Sequence, residues 1–144
     1  MSTGLPVFDK TVQEANLWLK AVMQAIGTED REAAYGALKA TLHALRDRIG
    51  PENAVHLGAQ LPILIRGVYY EGWHPARTPT HERRVEPFLE HLSDRLPLKL
   101  AERPERVARA VFAVIWQMID QGEVAKLLEM LPGALRELWA SVEA

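Results

Sequence analysis

The chain has 144 residues with 17 Lys plus Arg against 19 Asp plus Glu, a net charge of −2, 48% hydrophobic residues and no cysteine. That length suits one domain spanning residues 1–144, burying about two-thirds of the surface its unfolded chain would expose. The composition excludes disulfides, thiolate metal sites and cysteine nucleophiles, and so balanced a charge gives no long-range pull on phosphate backbones, which disfavours nucleic acid as a partner.

Apolar residues recur at steps of three and four and nowhere alternate with polar ones over strand length, so the expected class is all-α. Phe8, Val12, Ala15, Leu19, Val22 and Ile26 form one stripe of a first helix, which Gly27 stops. Thr28 is the expected cap of the next helix, with Glu29 and Asp30 in its first turn and Ala34, Leu38, Leu42, Leu45 and Ile49 as its buried face. Gly50 and Pro51 end that helix and start a short one, and Pro62 repeats the device. Residues 74–84 have no apolar stripe and read as a connector. A further helix begins near Val85 with Phe88, Leu89, Leu92 and Leu96 as its apolar face. Pro104 opens a longer one carrying Val107, Val111, Phe112, Ile115 and Ile119, and Gly122 and Pro132 divide the remainder. The expected architecture is a compact bundle of about eight helices.

Those helices fall into two groups that align without a gap at a constant shift of 70. Identities occur at Ala40/Ala110, Ile49/Ile119, Leu57/Leu127, Leu61/Leu131, Pro62/Pro132 and Arg66/Arg136, and Leu42/Phe112, Leu45/Ile115 and Tyr69/Trp139 match in character. Two tandem pseudo-repeated modules are therefore expected, about 5–73 and 85–142, joined by the connector. Tyr69 and Trp139 should plug their modules alike, with Leu42 and Phe112 both buried.

The stretches "LPILIRGVYYEGW" and "LPGALRELW", within segments that cover nearly the whole chain, resemble the bacterial and archaeal family designated domain of unknown function 2267. Pro87 stands where that family leads one to expect an acidic or otherwise helix-compatible residue. The resemblance implies a compact helical protein of a prokaryotic cytoplasm. It carries no assigned activity, so no catalytic residue follows from it. A cytoplasmic location also fits the absent cysteines and an N-terminus, Met1 to Lys10, without a basic run followed by an apolar one. No apolar run nears the roughly twenty residues of a membrane span, so no membrane partner is expected.

Reactive groups are sparse. His43 and Asp47, Glu52 and His56, and the group Glu90, His91 and Asp94 have helical spacing that could place two ligands together, but no Glu-x-x-His pair occurs, and solvated faces are the expected reading. Ser2, Ser93 and Ser141 lie in no nucleophile elbow, and no phosphate-binding glycine pattern is present. No catalytic residue, metal or cofactor is assigned.

One stretch exceeds what packing needs. Tyr70, Trp73, His74, Arg77, His81 and Arg84, with Arg66 just before them, combine aromatic rings and arginines, the residue types that carry binding energy at interfaces and could hold an acidic peptide or bases. Equally, the rings could seal a junction while the arginines keep a loop solvated, with Gly72 stopping the helix and Trp73 buried against both halves. Three functions follow: a non-enzymatic module for protein interaction or self-association, a small-ligand or regulatory binding protein with a pocket at the seam between modules, and a metal-dependent enzyme. The first is preferred.

Overall fold

The computed structural model describes residues 2–139. Among the described residues eight α-helices follow in order: α1 (Pro6–Ile26), α2 (Arg31–Ile49), α3 (Pro51–Gln60), α4 (Ile63–Tyr70), α5 (Val85–Arg95), α6 (Pro104–Met118), α7 (Gln121–Glu129) and α8 (Gly133–Arg136). Single 3-10 turns occupy Pro75–Arg77, within the connector, and Glu137–Trp139. No strand occurs among the described residues, and the class is all-α as expected.

Local chemistry sets most boundaries. Gly27 takes a left-handed φ of 84° and returns its N–H to the Met23 carbonyl, while Arg106 from α6 donates to the Ile26 carbonyl at 2.9 Å, closing the end of α1. The expected cap at Thr28 is displaced by two residues. Asp30 accepts from the Ala33 N–H at 3.1 Å, and the Thr28 hydroxyl accepts from the Asp30 N–H, because Asp30 is the residue that directly precedes the first helical turn. Gly122 likewise does not divide the second half. It lies inside α7, and the break falls at Ile119, which is extended, before Asp120 caps the new helix through the Glu123 N–H. Pro87 sits within the first turn of α5, where a missing N–H is harmless.

The apolar stripe of α1 is buried only in its second half. Trp18, Val22 and Ile26 are in the core, whereas Phe8 is 56% and Val12 41% exposed, contrary to the uniform burial that their spacing suggests. The first turns of α1 extend past the helices that cover its C-terminal half.

Helix α2 is the central element and touches α1, α3, α4, α5 and α6. Its alanines 33, 34, 37, 40 and 44 are buried together with Leu38, Leu42, Leu45 and Ile49, so small residues let neighbours approach on several sides. α1 packs on α6 and α5 on α2, α1 touches α4 as α5 touches α8, and α2 meets α6 as α3 meets α7. One cluster of buried residues runs through all of these contacts.

Leu42 and Phe112 are both buried, and Tyr69 and Trp139 are both fully enclosed. Their immediate partners differ. The Tyr69 hydroxyl donates to the Ala54 carbonyl at 2.7 Å, while the Trp139 ring lies flat on Phe112 with centroids 4.2 Å apart and planes 7° from parallel.

Candidate functional site

The polar centre of the molecule lies where the last two turns of α2 meet the end of α4 and the connector. A helix leaves its final carbonyls without internal partners, and here α2 supplies donors for those of α4. Arg46, only 3% exposed, donates through Nη1 to the Tyr69 carbonyl at 2.8 Å and the Glu71 carbonyl at 2.9 Å, and through Nε to Asp47 Oδ1 at 2.8 Å. His43 Nε2 lies 2.7 Å from the Val68 carbonyl, which fixes Nε2 as the protonated nitrogen. Burial, reinforced by the charges of Arg46 and Arg95, holds the His43 imidazole below its ordinary pKa against the opposing pull of that hydrogen bond. Lys39 pairs with Glu71 at 2.5 Å.

Asp47 links this cluster to the other half of the chain. Its Oδ2 lies 3.2 Å from Nη2 of Arg95 on α5, and its carbonyl accepts the Thr80 N–H at 2.8 Å. Arg48 Nε donates to the Glu82 carbonyl at 2.6 Å, so the connector is tied along α2 at two points. The expectation of a solvated face at His43 and Asp47 is therefore corrected: His43 is half-buried and Asp47 buried, because α4, α5 and the connector cover that side of α2. Arg46 went unremarked in the sequence, although it stands four residues after Leu42 and three before Ile49, on the apolar stripe itself.

A cavity of about 380 Å³ lies between these elements, lined by His43, Arg46, Asp47, His74, Arg77 and Arg95, with Glu71 also facing it. Of the seven residues singled out from the sequence, His74 and Arg77 reach this cavity. His81 and Arg84 lie on a separate open groove beside Pro87 and His91, to which Arg77 also contributes. Arg66 turns away from both and donates to the Gly58 carbonyl at 2.8 Å and the Leu61 carbonyl at 2.9 Å, where it closes the end of α3. Arg136 does the same for α7 through the Leu131 carbonyl at 3.1 Å. Tyr70 packs edge-on against Tyr69, its hydroxyl over Gly58. Trp73 is half-buried, its ring tilted over Tyr70 at 5.4 Å, and Gly72 ahead of it takes a positive φ of 69° that lets the chain turn after α4.

A second cleft, of about 500 Å³, separates α3 from α7, with Leu57, Ile119, Val124 and Leu127 among its lining and His56 and Lys126 beside them. Among the described residues, no three His, Asp or Glu side chains gather in a way that could hold a metal ion. His91 instead pairs with Glu82. No helix of the described residues is long and apolar enough to cross a membrane.

Residues 15–138 match the model of the family described as uncharacterized conserved protein, DUF2267. The chain belongs to that family. No curated protein matches it. The DUF2267 match takes in the whole polar junction and both clefts, and it begins at Ala15, so the exposed first turns of α1 lie outside the matched residues.

Proposed function

We propose that this DUF2267 protein acts by association rather than catalysis, as a helical interaction module of the bacterial cytoplasm whose contact surface is the first half of α1 and whose partner is a second copy. The carrying observation is the exposure of Leu5, Val7, Phe8 and Val12, each between 41% and 56%, on turns that continue the core stripe of α1 into solvent. Each apolar CH₂ removed from water contributes about 0.8 kcal/mol, so covering such a stripe is favourable. Two copies related by a two-fold axis would lay the same stripe against itself and cover both at once. Fewer than ten helical residues per copy is a small contact beside the roughly 800 Å² per partner of a standard interface, so association should be weak and concentration-dependent.

Sedimentation velocity over a range of concentrations tests this. The wild type should shift from monomer towards dimer and Phe8→Glu should remain monomeric. A wild type that stays monomeric at every concentration overturns the proposal.

The same reading includes two pseudo-repeated modules within one domain. Its support is that residues 51–60 and 121–130 share one pattern of burial position by position, that Arg66 and Arg136 each bond the carbonyl five residues back, and that the contacts of α1 with α2, α4 and α6 have counterparts at a shift of seventy in those of α5 with α6, α8 and α2. In that register α5 corresponds to the second half of α1, leaving Pro6–Glu14 as an addition to the first module.

A second reading, small-ligand binding, is favoured by the α3/α7 cleft, whose volume lies within the range of about 300–1,000 Å³ common to ligand sites and whose floor is apolar. Native mass spectrometry of protein purified from its host decides it: a retained small molecule released on unfolding supports the reading, and a bare protein mass removes it.

A further inference from the structure

The cavity under the connector brings together three arginines from three elements: Arg46 of α2, Arg77 of the 3-10 turn and Arg95 of α5. Both carboxylates facing it already have cations. Asp47 is held by Arg46 at 2.8 Å and by Arg95 at 3.2 Å, and Glu71 by Lys39 at 2.5 Å. Arg46 is further engaged by two carbonyls, whereas the Arg77 guanidinium makes no hydrogen bond or ion pair with the described residues. Positive charge is thus left over on the side where His74 and Arg77 line the cavity. His43 reports the same field, since Arg46 and Arg95 help to keep its imidazole neutral.

The geometry points to a binding site for the oxyanion of a small molecule, a phosphoryl or carboxylate group received by the Arg77 guanidinium with His74 and the free N–H groups of Arg95 beside it. A guanidinium fork matches such an oxyanion with two parallel N–H···O bonds, and a partly enclosed site strengthens them. The built part of the site is rigid. Arg46 and Asp47 are buried and mutually bonded, and Asp47 orients Arg95 from below. At about 380 Å³ the cavity suits a small metabolite rather than a polymer strand. None of these residues belongs to the exposed half of α1, so this site and the association surface stand or fall separately.

Isothermal titration of the full chain with inorganic phosphate, and in parallel with succinate, at constant ionic strength tests the site. At least one anion should bind saturably at one site per chain, and tighter binding of phosphate or of succinate assigns the phosphoryl or the carboxylate class. Arg77→Ala should weaken that binding about tenfold, the scale of one charge-assisted contact, with Arg77→Lys recovering part of it. Arg84→Ala, on the same connector but outside the cavity, should bind like the wild type. His74→Ala is the second variant of the site and should also weaken binding. Absence of saturable binding by both anions, or equal affinity in Arg77→Ala and wild type, or an equal loss in Arg84→Ala, overturns the inference.

Discussion

Gly58 and Tyr70 occupy one space: a Cβ placed on Gly58 would meet the Tyr70 hydroxyl and stand 2.7 Å from ring carbon Cζ. Helices α3 and α4 close on each other because the side chain is missing from one and large on the other. Tyr70 is thereby explained as packing before any binding role is considered.

The sign of Gly58→Ala follows from this. Within a helix, Gly to Ala ordinarily stabilises by about 0.5–1 kcal/mol. Here the clash should dominate, with a net loss of about 1–3 kcal/mol, the usual cost of overpacking. Tyr70→Leu in the same chain should recover most of it. Gly67 in α4 is the control, since a Cβ there meets nothing within 4 Å, and Gly67→Ala should gain about 0.5–1 kcal/mol. Urea unfolding of the four chains checks the set, and a Gly58→Ala midpoint at or above the wild type would show that α3 and α4 are not in this contact.

Removing Arg46 should be among the most damaging single changes. Arg46→Met deprives the Tyr69 and Glu71 carbonyls of their donor and leaves Asp47 with Arg95 alone, a loss expected at about 3–5 kcal/mol for breaking a buried charged pair. Arg46→Lys should recover little, because an ammonium cannot serve a carboxylate and two carbonyls in the fixed directions of the guanidinium fork. Chemical denaturation measures both. A Lys variant as stable as the wild type would mean that charge alone, without the fork, holds the junction.

His43 predicts how stability depends on pH. Its folded pKa is lowered from 6.5, chiefly by burial, so the unfolded chain takes up a proton more readily than the folded one as the medium acidifies. The contribution is fully present above pH 6.5 and declines as pH falls from there through the lower folded value. His43→Gln, whose amide can still donate to the Val68 carbonyl, should flatten the stability curve across that interval. The carboxylates of Asp30 and Glu71 are held below 3.8 and 4.5 by Lys99 and Lys39, so their contributions decline in acid in the wild type and in His43→Gln alike. Thermal melts from pH 8 to pH 5 on the two proteins provide the comparison. An unflattened curve in His43→Gln would place the titration elsewhere.

The helices were legible because their apolar spacing, prolines and glycines act locally: Pro51, Pro104 and Val85 start helices where the sequence places them. What escaped depends on neighbours distant along the chain. Phe8 and Val12 have the spacing of core residues but no element above them, and spacing records only which residues share a face, not whether that face is covered. The reverse happened at His43 and Asp47, polar residues that look solvated until α4, α5 and the connector close over them. Arg66 and Arg77 look equivalent on paper. One is engaged by the end of α3 and the other faces a cavity, a distinction set by whether unpaired helix carbonyls lie within reach. Even so, Arg46 on the apolar stripe of α2 was a readable sign that a buried charge needed partners.

Trp73 allows packing and binding to be separated. Its ring is half-buried against Tyr70, and its indole Nε1 is enclosed with no acceptor among the described residues. Trp73→Ala should therefore cost less than the roughly 3–5 kcal/mol of a fully buried tryptophan, about 1–3 kcal/mol. Trp73→Phe is the sharper change. It gives up part of the ring contact but removes a buried N–H whose lost hydration costs about 1–3 kcal/mol, so the two effects should nearly cancel. A small shift in Trp73→Phe beside a clear loss in Trp73→Ala identifies the ring as packing material, with its polar atom dispensable. A loss as large in Trp73→Phe as in Trp73→Ala would instead mean that the indole N–H has a partner in solution, and that the junction uses Trp73 as a donor.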